Sequence, residues 1–566
     1  MAGASADPTA FLAARDFLLK HREDYETAYR DFRWPELASF NWAFDFFDFM
    51  ASEDPDKTAL WIVEEDGSEA RYSFSEMSRR SNQVGNFLRR LGVERGSRII
   101  VMLPNHVAIW EITLAALKLG AIIIPAATLL TTEDLRDRIQ RANARHVIAI
   151  GSVIEKFHDL RAEFTGIAVG ETVTGWRNYA DAYNESAALA PYPEPRATDP
   201  FLLYFTSGTT ASPKLVLHTH QSYPVGHLAT MYWIGLRPDD VHCNISSPGW
   251  AKHAWSSFFA PWNAGSTIFV YNYGRFNARN TLSQIERCGV TTLCAPPTVW
   301  RSFVLEDLAA YNMKIRDLVG AGEPLNPEII EKVRRAWGVT IRDGFGQTEN
   351  VCLLGNFPGQ PIKPGAVGRP SPGHQVVLLD GSGHETDEGE IALKLNPRPL
   401  SLFSHYMDDP KKTAAVMEGG YYRTGDVAAR DADGYYTYVG RADDVFKCSD
   451  YRLSPFELES ALVEHDAIAE AAVVPSPDEI RWNVPKAFIV LKPGLEPSKD
   501  VAREIFVFVR KRLGPYKRIR RIEFSDLPKT ISGKIRRVEL RAVEKNARAA
   551  TGRRDNEFWE EDFSEL

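Results

Sequence analysis

Apolar and polar positions recur along the first 200 residues with two different periods, and the switches between them mark the elements. In "NQVGNFLRRLG", Val84, Phe87, Leu88 and Leu91 share one helical face, and the pattern stops at Gly92. "IIVML" (99–103) is a short apolar run of the buried-strand type. A helical stretch follows to Gly120, and "AIIIP" reads as the next strand. Strand, helix, strand at this spacing is a βαβ unit, which predicts a parallel sheet with helices on its faces. "VIAIG" (147–151) repeats the pattern, and "LAPYPEPRATDP" (189–200) is a proline-rich surface connection. Near residue 440 the character changes. "GYYTYVGRADDVFKCSDYRLSPFELESALVEH" passes from an aromatic strand pattern through a charged joint into a helix. Ser454, Pro455 and Glu457 spell a capping box with proline at the first helical position. "AIAEAAVV", "KAFIVL" and "VAREIFVFVRKRLG" then suffice for a small domain of about one hundred residues. The expected fold is α/β: a large multi-subdomain N-terminal region with βαβ sheets (1–440), and a small mobile α+β C-terminal domain (441–566). The last dozen residues are expected to be disordered.

Composition narrows the class. A chain of 566 residues is too long for one compact domain, and 44% hydrophobic with 25% charged residues is ordinary for a globular protein. The net charge of −8 gives no pull toward nucleic acid or anionic membrane. The longest apolar run, "AALKLGAIIIPAATLL", is interrupted by Lys118 and Pro125, so no membrane span is expected. The N-terminus lacks the basic-then-apolar build of a signal peptide and is too acidic for a transit peptide. Cys243, Cys288, Cys294, Cys352 and Cys448 are scattered without CxxC spacing. A disulfide framework or zinc site is not expected, and a reducing cytoplasm fits best.

"YFTSGTTASPK" (204–214) is the first stretch that carries chemistry. Thr206, Ser207, Thr209 and Thr210 offer hydroxyl donors, Gly208 lets backbone amides turn inward, and Lys214 adds a positive charge. Such a nest suits phosphate oxygens. It is not a Walker-A loop: the spelling differs, and "LVLHTH" after the lysine reads as a returning strand rather than a helix. A polar hairpin turn explains the stretch equally well by itself.

Four further stretches follow in order: "GAGEPL" (320–325), "DGFGQTEN" (343–350), "YYRTGDVAARDADGYYTYVGRADD" (421–444) and "LPKTISGKIRR" (527–537). With the opening loop, they resemble the ordered motif set of the adenylate-forming superfamily, which includes acyl-CoA synthetases, luciferases and adenylation domains. "FNWAFDFFDFMA" and "SSPGWAKHAW" look most like the medium-chain acyl-CoA synthetases. The resemblance implies a two-step reaction. A carboxylate attacks the α-phosphorus of Mg-ATP to give an acyl-adenylate and pyrophosphate, and the thiol of coenzyme A then displaces AMP.

The resemblance also implies roles. Lys534 matches the adenylation lysine, Glu349 the carboxylate that holds Mg2+, and Thr348 the residue beside the α-phosphate and the acyl carboxylate. Thr206–Thr210 and Lys214 would hold the outer phosphates. Phe345 would stack on adenine, within the nucleotide segment Asp343, Gly344, Gly346 and Gln347, with Gly322, Glu323 and Pro324 closing the other side. Asp426 would accept both ribose hydroxyls, as a carboxylate can. Arg441 matches a nucleotide-contacting arginine and Asp443 the hinge, where rotation would exchange Lys534 for the "KCSDYRL" face. Ser449, Asp450, Tyr451 and Arg452 would line the pantetheine entrance. Many relatives have glycine at the position of Asp450, whose side chain either turns outward or weakens the thioester step. Arg481, and Lys517 or Arg518 of "YKRIRR", would meet coenzyme A. Trp250, His253 and Trp255 are candidates for the acyl pocket, although a tryptophan or a lone histidine there serves equally well as core.

The leading reading is an AMP-forming ligase of short, medium or branched acids. An aryl (benzoate-type) ligase, an adenylating enzyme with another acceptor such as a free carrier protein, and a degenerate nucleotide-binding protein remain as alternatives. A homo-oligomer is left open.

Overall fold

The computed structural model describes residues 8–190, 192–193, 195–206, 213–323, 325–363, 365–448, 451–478, 481–530, 534–550 and 552–563. The chain forms two compact units, residues 1–376, 393–422 and 432–436, and residues 377–392, 423–431 and 437–566.

The first unit is built on two large sheets. In one, the order of strands begins His405–Tyr406, Lys214–Thr219, Pro200–Thr206, Ile122–Pro125, Arg98–Met102 and His146–Ile150. The predicted βαβ unit is present: Arg98–Met102 and Ile122–Pro125 run parallel, joined by the helix Ala108–Leu119. That helix stops at Gly120, whose φ of 68° is the left-handed value glycine adopts at little cost. Its neighbour, the helix Phe74–Arg90, buries Val84, Phe87 and Leu88, as the pattern of apolar positions requires. Lys118, which breaks the longest apolar run, is fully buried 2.8 Å from Asp48. No helix of the described residues is long and apolar enough to cross a membrane.

In the second sheet, Asp317–Ala321 and Ile341–Gly346 lie parallel as neighbours, and Cys352–Gly355 returns antiparallel to the latter. A parallel sheet gathers the C-terminal ends of its strands at one edge, where ligands bind in open α/β sheets. "GAGEPL" and "DGFGQTEN" both begin in such strands and run out past their ends.

The second unit contains a four-stranded sheet. Ile468–Asp478 pairs antiparallel with Trp482–Leu491, which runs parallel to Arg521–Phe524, which pairs antiparallel with Glu557–Trp559. Leu458, Leu462, Val473, Ile489, Ile505, Phe506 and Ile522 form its buried core. Two expectations are corrected here. Residues 555–563 are ordered into this sheet rather than disordered, because buried charges hold them: Lys486 Nζ lies 2.7 Å from Glu523 and Glu544 and 3.1 Å from Glu557. Composition reads that tail as solvated; the ion network that buries it cannot be seen in a string of charged letters. The capping box is half formed. Ser454 accepts from the Glu457 amide at 3.2 Å, but the Glu457 carboxylate is paired with Lys517.

Candidate active site

The opening loop is a hairpin connection. Pro200–Thr206 and Lys214–Thr219 pair antiparallel, with Thr206 directly opposite Lys214. Residues 207–212, which include Ser207, Gly208, Thr209 and Thr210, lie outside the described residues. The strand after the lysine excludes a Walker-A arrangement, in which the loop leads into a helix.

Lys214 is brought to Glu349. Its ammonium is 3.5 Å from Glu349 Oε1 and 3.4 Å from the Tyr406 hydroxyl. That hydroxyl donates to Glu349 Oε1 at 2.8 Å, and Lys214 sits 5.2 Å from the centre of the Tyr406 ring. Lys412 is close enough to feel both groups: burial and then the Lys214 charge hold its pKa down, with Asp409 and Glu349 opposing. Glu349 Oε2 has no protein partner among the described residues. No group of three or more His, Cys, Asp or Glu that could hold a metal occurs among them either. One carboxylate with a free oxygen, completed by substrate phosphates, fits Mg2+, which rarely takes an all-protein cage.

The segment around Glu349 is tied down on both sides. The His218 ring faces the Thr348 carbonyl at 2.7 Å through Nε2 and the Ser222 hydroxyl at 3.0 Å through Nδ1. Burial pushes the pKa of His218 down to about 4, so the ring is neutral at pH 7. A carbonyl can only accept, so Nε2 donates and Nδ1 accepts. The Glu349 carbonyl accepts from the Phe403 amide at 2.8 Å, and Tyr422 donates to Gln347 Oε1 at 2.9 Å.

Asp343 has a structural part in this site. Its buried carboxylate accepts from the Leu325 amide at 3.1 Å and the Gly344 amide at 2.9 Å. It therefore latches the "GAGEPL" turn to the strand that carries Phe345. Burial pushes its pKa up to about 7 against the pull of those two amides. Gly322 takes a φ of 115°, a left-handed value suited to glycine, and Pro324 lies outside the described residues. Glu323 is 4.0 Å from Arg301. Phe345 is half-buried opposite Leu354. A Cβ on Gly346 would meet the Trp255 ring at 2.5 Å and also the Val351 carbonyl, so only glycine fits there.

Trp255 is buried and donates to the Tyr223 hydroxyl at 2.7 Å, while Trp250 and His253 border an apolar cavity of about 50 Å³. Ile123, Leu202, Tyr204 and Phe258 supply further walls. His253 faces Asn105 Oδ1 at 3.0 Å, and burial lowers its pKa to about 3. A packed series leads from the cavity to Thr348. The Tyr204 and Tyr223 ring centres are 5.9 Å apart, those of Tyr223 and His218 are 4.4 Å apart, and His218 holds the Thr348 carbonyl.

In the second unit, Asp426 accepts from the Tyr438 hydroxyl at 2.9 Å. Burial works against the Arg441 cation, but Asp426 and Asp443 outweigh it and its pKa is raised. Arg441 is 3.4 Å from Asp443. Lys534 is exposed and its ammonium has no partner among the described residues, whereas Lys529 is paired with Glu470 at 2.7 Å. Phe446–Cys448 pairs with Tyr451–Leu453 as a hairpin whose turn, Ser449 and Asp450, lies outside the described residues, as do the side chains of Tyr451 and Arg452. Arg481 is near enough to Cys448 to oppose the rise that burial imposes on the thiol pKa. The "YKRIRR" stretch is mostly spent inside the unit: Lys517 on Glu457, Arg520 on Glu560, and Arg521 on Ser476 and the Pro477 carbonyl. Arg518 Nε is buried without a hydrogen-bond partner among the described residues.

Sequence reasoning missed Tyr406, Lys412, His218 and Tyr438. Tyr438 lies inside the 421–444 stretch and His218 just after the opening loop, but neither letter marks its partner, Asp426 for the one and the Thr348 carbonyl for the other.

Residues 47–402 match the AMP-binding enzyme family, and residues 457–534 match the AMP-binding enzyme C-terminal domain. The chain belongs to the AMP-binding enzyme family. It is 44% identical to 4-hydroxybutyrate–CoA ligase 1 of Metallosphaera sedula, over 92% of this chain and 94% of that one. It is 38% identical to the mitochondrial acyl-coenzyme A synthetase ACSM3 of Mus musculus, over 92% and 93%. Among solved structures, the anthranilate CoA ligase AuaEII in complex with anthranoyl-AMP superposes with a TM-score of 0.82 at 30% identity, covering 90% of this chain and 98% of that one. The protein is an AMP-forming acyl-CoA synthetase of the adenylate-forming superfamily, using ATP, Mg2+ and coenzyme A.

Proposed function

We propose that this ligase activates a short aliphatic carboxylic acid, with the acyl chain lodged in the cavity bordered by Trp250 and His253. The cavity carries the reading. At about 50 Å³ it is a third of the roughly 150 Å³ that accepts benzene in an engineered protein core. Its walls are mostly apolar, which suits a hydrocarbon chain, and its packed link to Thr348 suits a carboxylate at the other end. The Metallosphaera relative is likewise named for a short aliphatic acid, 4-hydroxybutyrate.

In this reading, Lys214 and the Thr206–Thr210 loop hold the outer phosphates, Asp426 the ribose, and Phe345 the adenine. Lys534 joins the carboxylate and α-phosphate as charge develops between them, which is where a fixed cation is worth most. Mg2+ on Glu349 neutralises phosphate charge when bound. Rotation at Asp443 then removes Lys534 and admits the pantetheine arm beside the 446–453 hairpin and Arg481. All five cysteines are free and buried, in keeping with a reducing, cytoplasmic setting.

The test is AMP release across linear acids from acetate to octanoate, 4-hydroxybutyrate, branched acids, benzoate and anthranilate, with and without coenzyme A. The expected kcat/KM peaks among four-carbon acids and requires coenzyme A. A preference for benzoate or anthranilate overturns the aliphatic reading, and full turnover on a carrier protein without coenzyme A overturns the acceptor.

A further inference from the structure

Arg537 stands three residues after Lys534, at the start of the helix Arg537–Ala550. Its guanidinium grips Glu459 with two parallel bonds, Nε to Oε1 at 2.9 Å and Nη2 to Oε2 at 2.5 Å. This is the bidentate fork that fixes orientation as well as distance. Glu459 is buried in the helix Pro455–Val463, and its Oε1 also accepts from the Val473 amide at 2.8 Å. Burial raises the pKa of Glu459, and Arg537 is the main opposing influence.

The same guanidinium reaches Asp444, 3.8 Å from Nη1, and Arg541 one turn later pairs with Asp444 as well. Asp444 follows the expected hinge residue directly. Asp443 instead faces backward, 3.4 Å from Arg441. The two adjacent acids therefore divide. Asp443 belongs to the strand before the joint, and Asp444 to the helix that follows the Lys534 loop.

That loop is held at both ends. Lys529 and Ile535 form a bridge across it, the Thr530 amide donates to the Lys534 carbonyl at 2.8 Å, and the Lys534 amide donates to Thr530 Oγ1 at 3.1 Å. On one side Lys529 is anchored to Glu470; on the other Arg537 is anchored to Glu459 and Asp444. Lys534 lies in sequence between these two anchored residues.

We propose that Asp444, Arg537 and Glu459 are positioning residues that clamp the Lys534 loop to the chain immediately after the pivot, so that rotation at Asp443 carries Lys534 as part of one body. The proposal rests on the assignment of Lys534 as the adenylation lysine. Its cause is mechanical: a long exposed lysine delivers its charge only as accurately as its loop is held, and a misplacement of about 1 Å can cost a hundredfold in rate.

The experiment compares two half-reactions in the full-length enzyme: acid-dependent pyrophosphate exchange, and thioester formation from supplied acyl-adenylate and coenzyme A. Asp444→Asn keeps the shape, and leaves Arg537 on Glu459, so the fold survives. It is expected to lower exchange about tenfold while thioester formation changes less than about twofold. Arg537→Lys keeps a cation on buried Glu459 but loses the fork; the same split is expected, with the melting temperature retained. In a Lys534→Ala background, Asp444→Asn is expected to remove nothing further from exchange, since the coupled residue is already gone. Equal losses in both half-reactions, or a second full loss on top of Lys534→Ala, overturn the clamp. Near wild-type exchange in Lys534→Ala alone overturns the assignment beneath it, and the proposal with it.

Discussion

Tyr406→Phe tests the phosphate-side cluster with the smallest change. The hydroxyl stands 2.8 Å from Glu349 Oε1 and 3.4 Å from Lys214 Nζ, and Lys214 is itself 3.5 Å from the same carboxylate oxygen. The phenol donates its proton to an anion and accepts from a cation, so both bonds are charge-assisted. Phenylalanine keeps the ring, its contact with Phe403 at 4.8 Å between centres, and the aromatic surface beside Lys214. What disappears is the spacer that holds the ammonium and the carboxylate apart.

A hydrogen bond to a charged group contributes about 1.5–3 kcal/mol. Lys214 can move onto the vacated carboxylate and recover part of this, so the expected cost is at the lower end, about 1.5 kcal/mol, roughly tenfold. A Glu349 neutralised by Lys214 is a poorer partner for Mg2+, and a Lys214 so engaged is a poorer partner for phosphate. The expected result is a loss of about tenfold in kcat/KM for Mg-ATP, with KM for the acid changed less than about twofold. Magnesium titration of pyrophosphate exchange should show half-saturation moved upward, with part of the loss recovered at high magnesium. Thioester formation from supplied acyl-adenylate should stay at the wild-type rate. Unchanged Mg-ATP kinetics, or equal damage to the thioester step, would refute the role drawn for this cluster.

Three other outcomes follow from the same geometry. Lys534→Ala should lower acid-dependent pyrophosphate exchange by at least about a hundredfold, as loss of one transition-state charge partner does, and leave thioester formation from acyl-adenylate intact; Lys529→Ala, which removes the loop's anchor on Glu470 but no charge from the reacting groups, should lower exchange far less than Lys534→Ala does. Asp343 has a folded-state pKa of about 7, above the ordinary carboxylate value, so the native state binds the extra proton between about pH 4 and pH 7 and its stability falls as pH rises through that window. Asp343→Asn should flatten that slope, by on the order of 3 kcal/mol between pH 4 and pH 8, in urea melts at a series of pH values. Gly346→Ala places a methyl group 2.5 Å from the Trp255 ring; it should cost about 1–3 kcal/mol in thermal unfolding and raise KM for ATP, and a stable variant with normal ATP kinetics would contradict the close packing described there.

The parts of the site that the sequence made legible are those in which the chemistry forces a local spelling. A strand that ends against aromatic rings needs the glycines of "DGFGQTEN", where a Cβ on Gly344 or Gly346 would strike Trp233 or Trp255. The βαβ rhythm of residues 98–125 was legible for a similar reason, since burial on both faces permits little but Ile, Val and Leu. What stayed hidden acts across distance. Tyr406 orients Glu349 from 57 residues away, and Glu459 holds Arg537 from 78 away. A tyrosine or an arginine in a polar stretch carries no mark of its partner, and the same holds for the tail at 555–563, where Glu557 and Glu560 look solvated and are buried. The charged stretch at 441–444 stands out in composition, but the partners of its two aspartates do not: Asp443 pairs with Arg441, and Asp444 with Arg537 and Arg541.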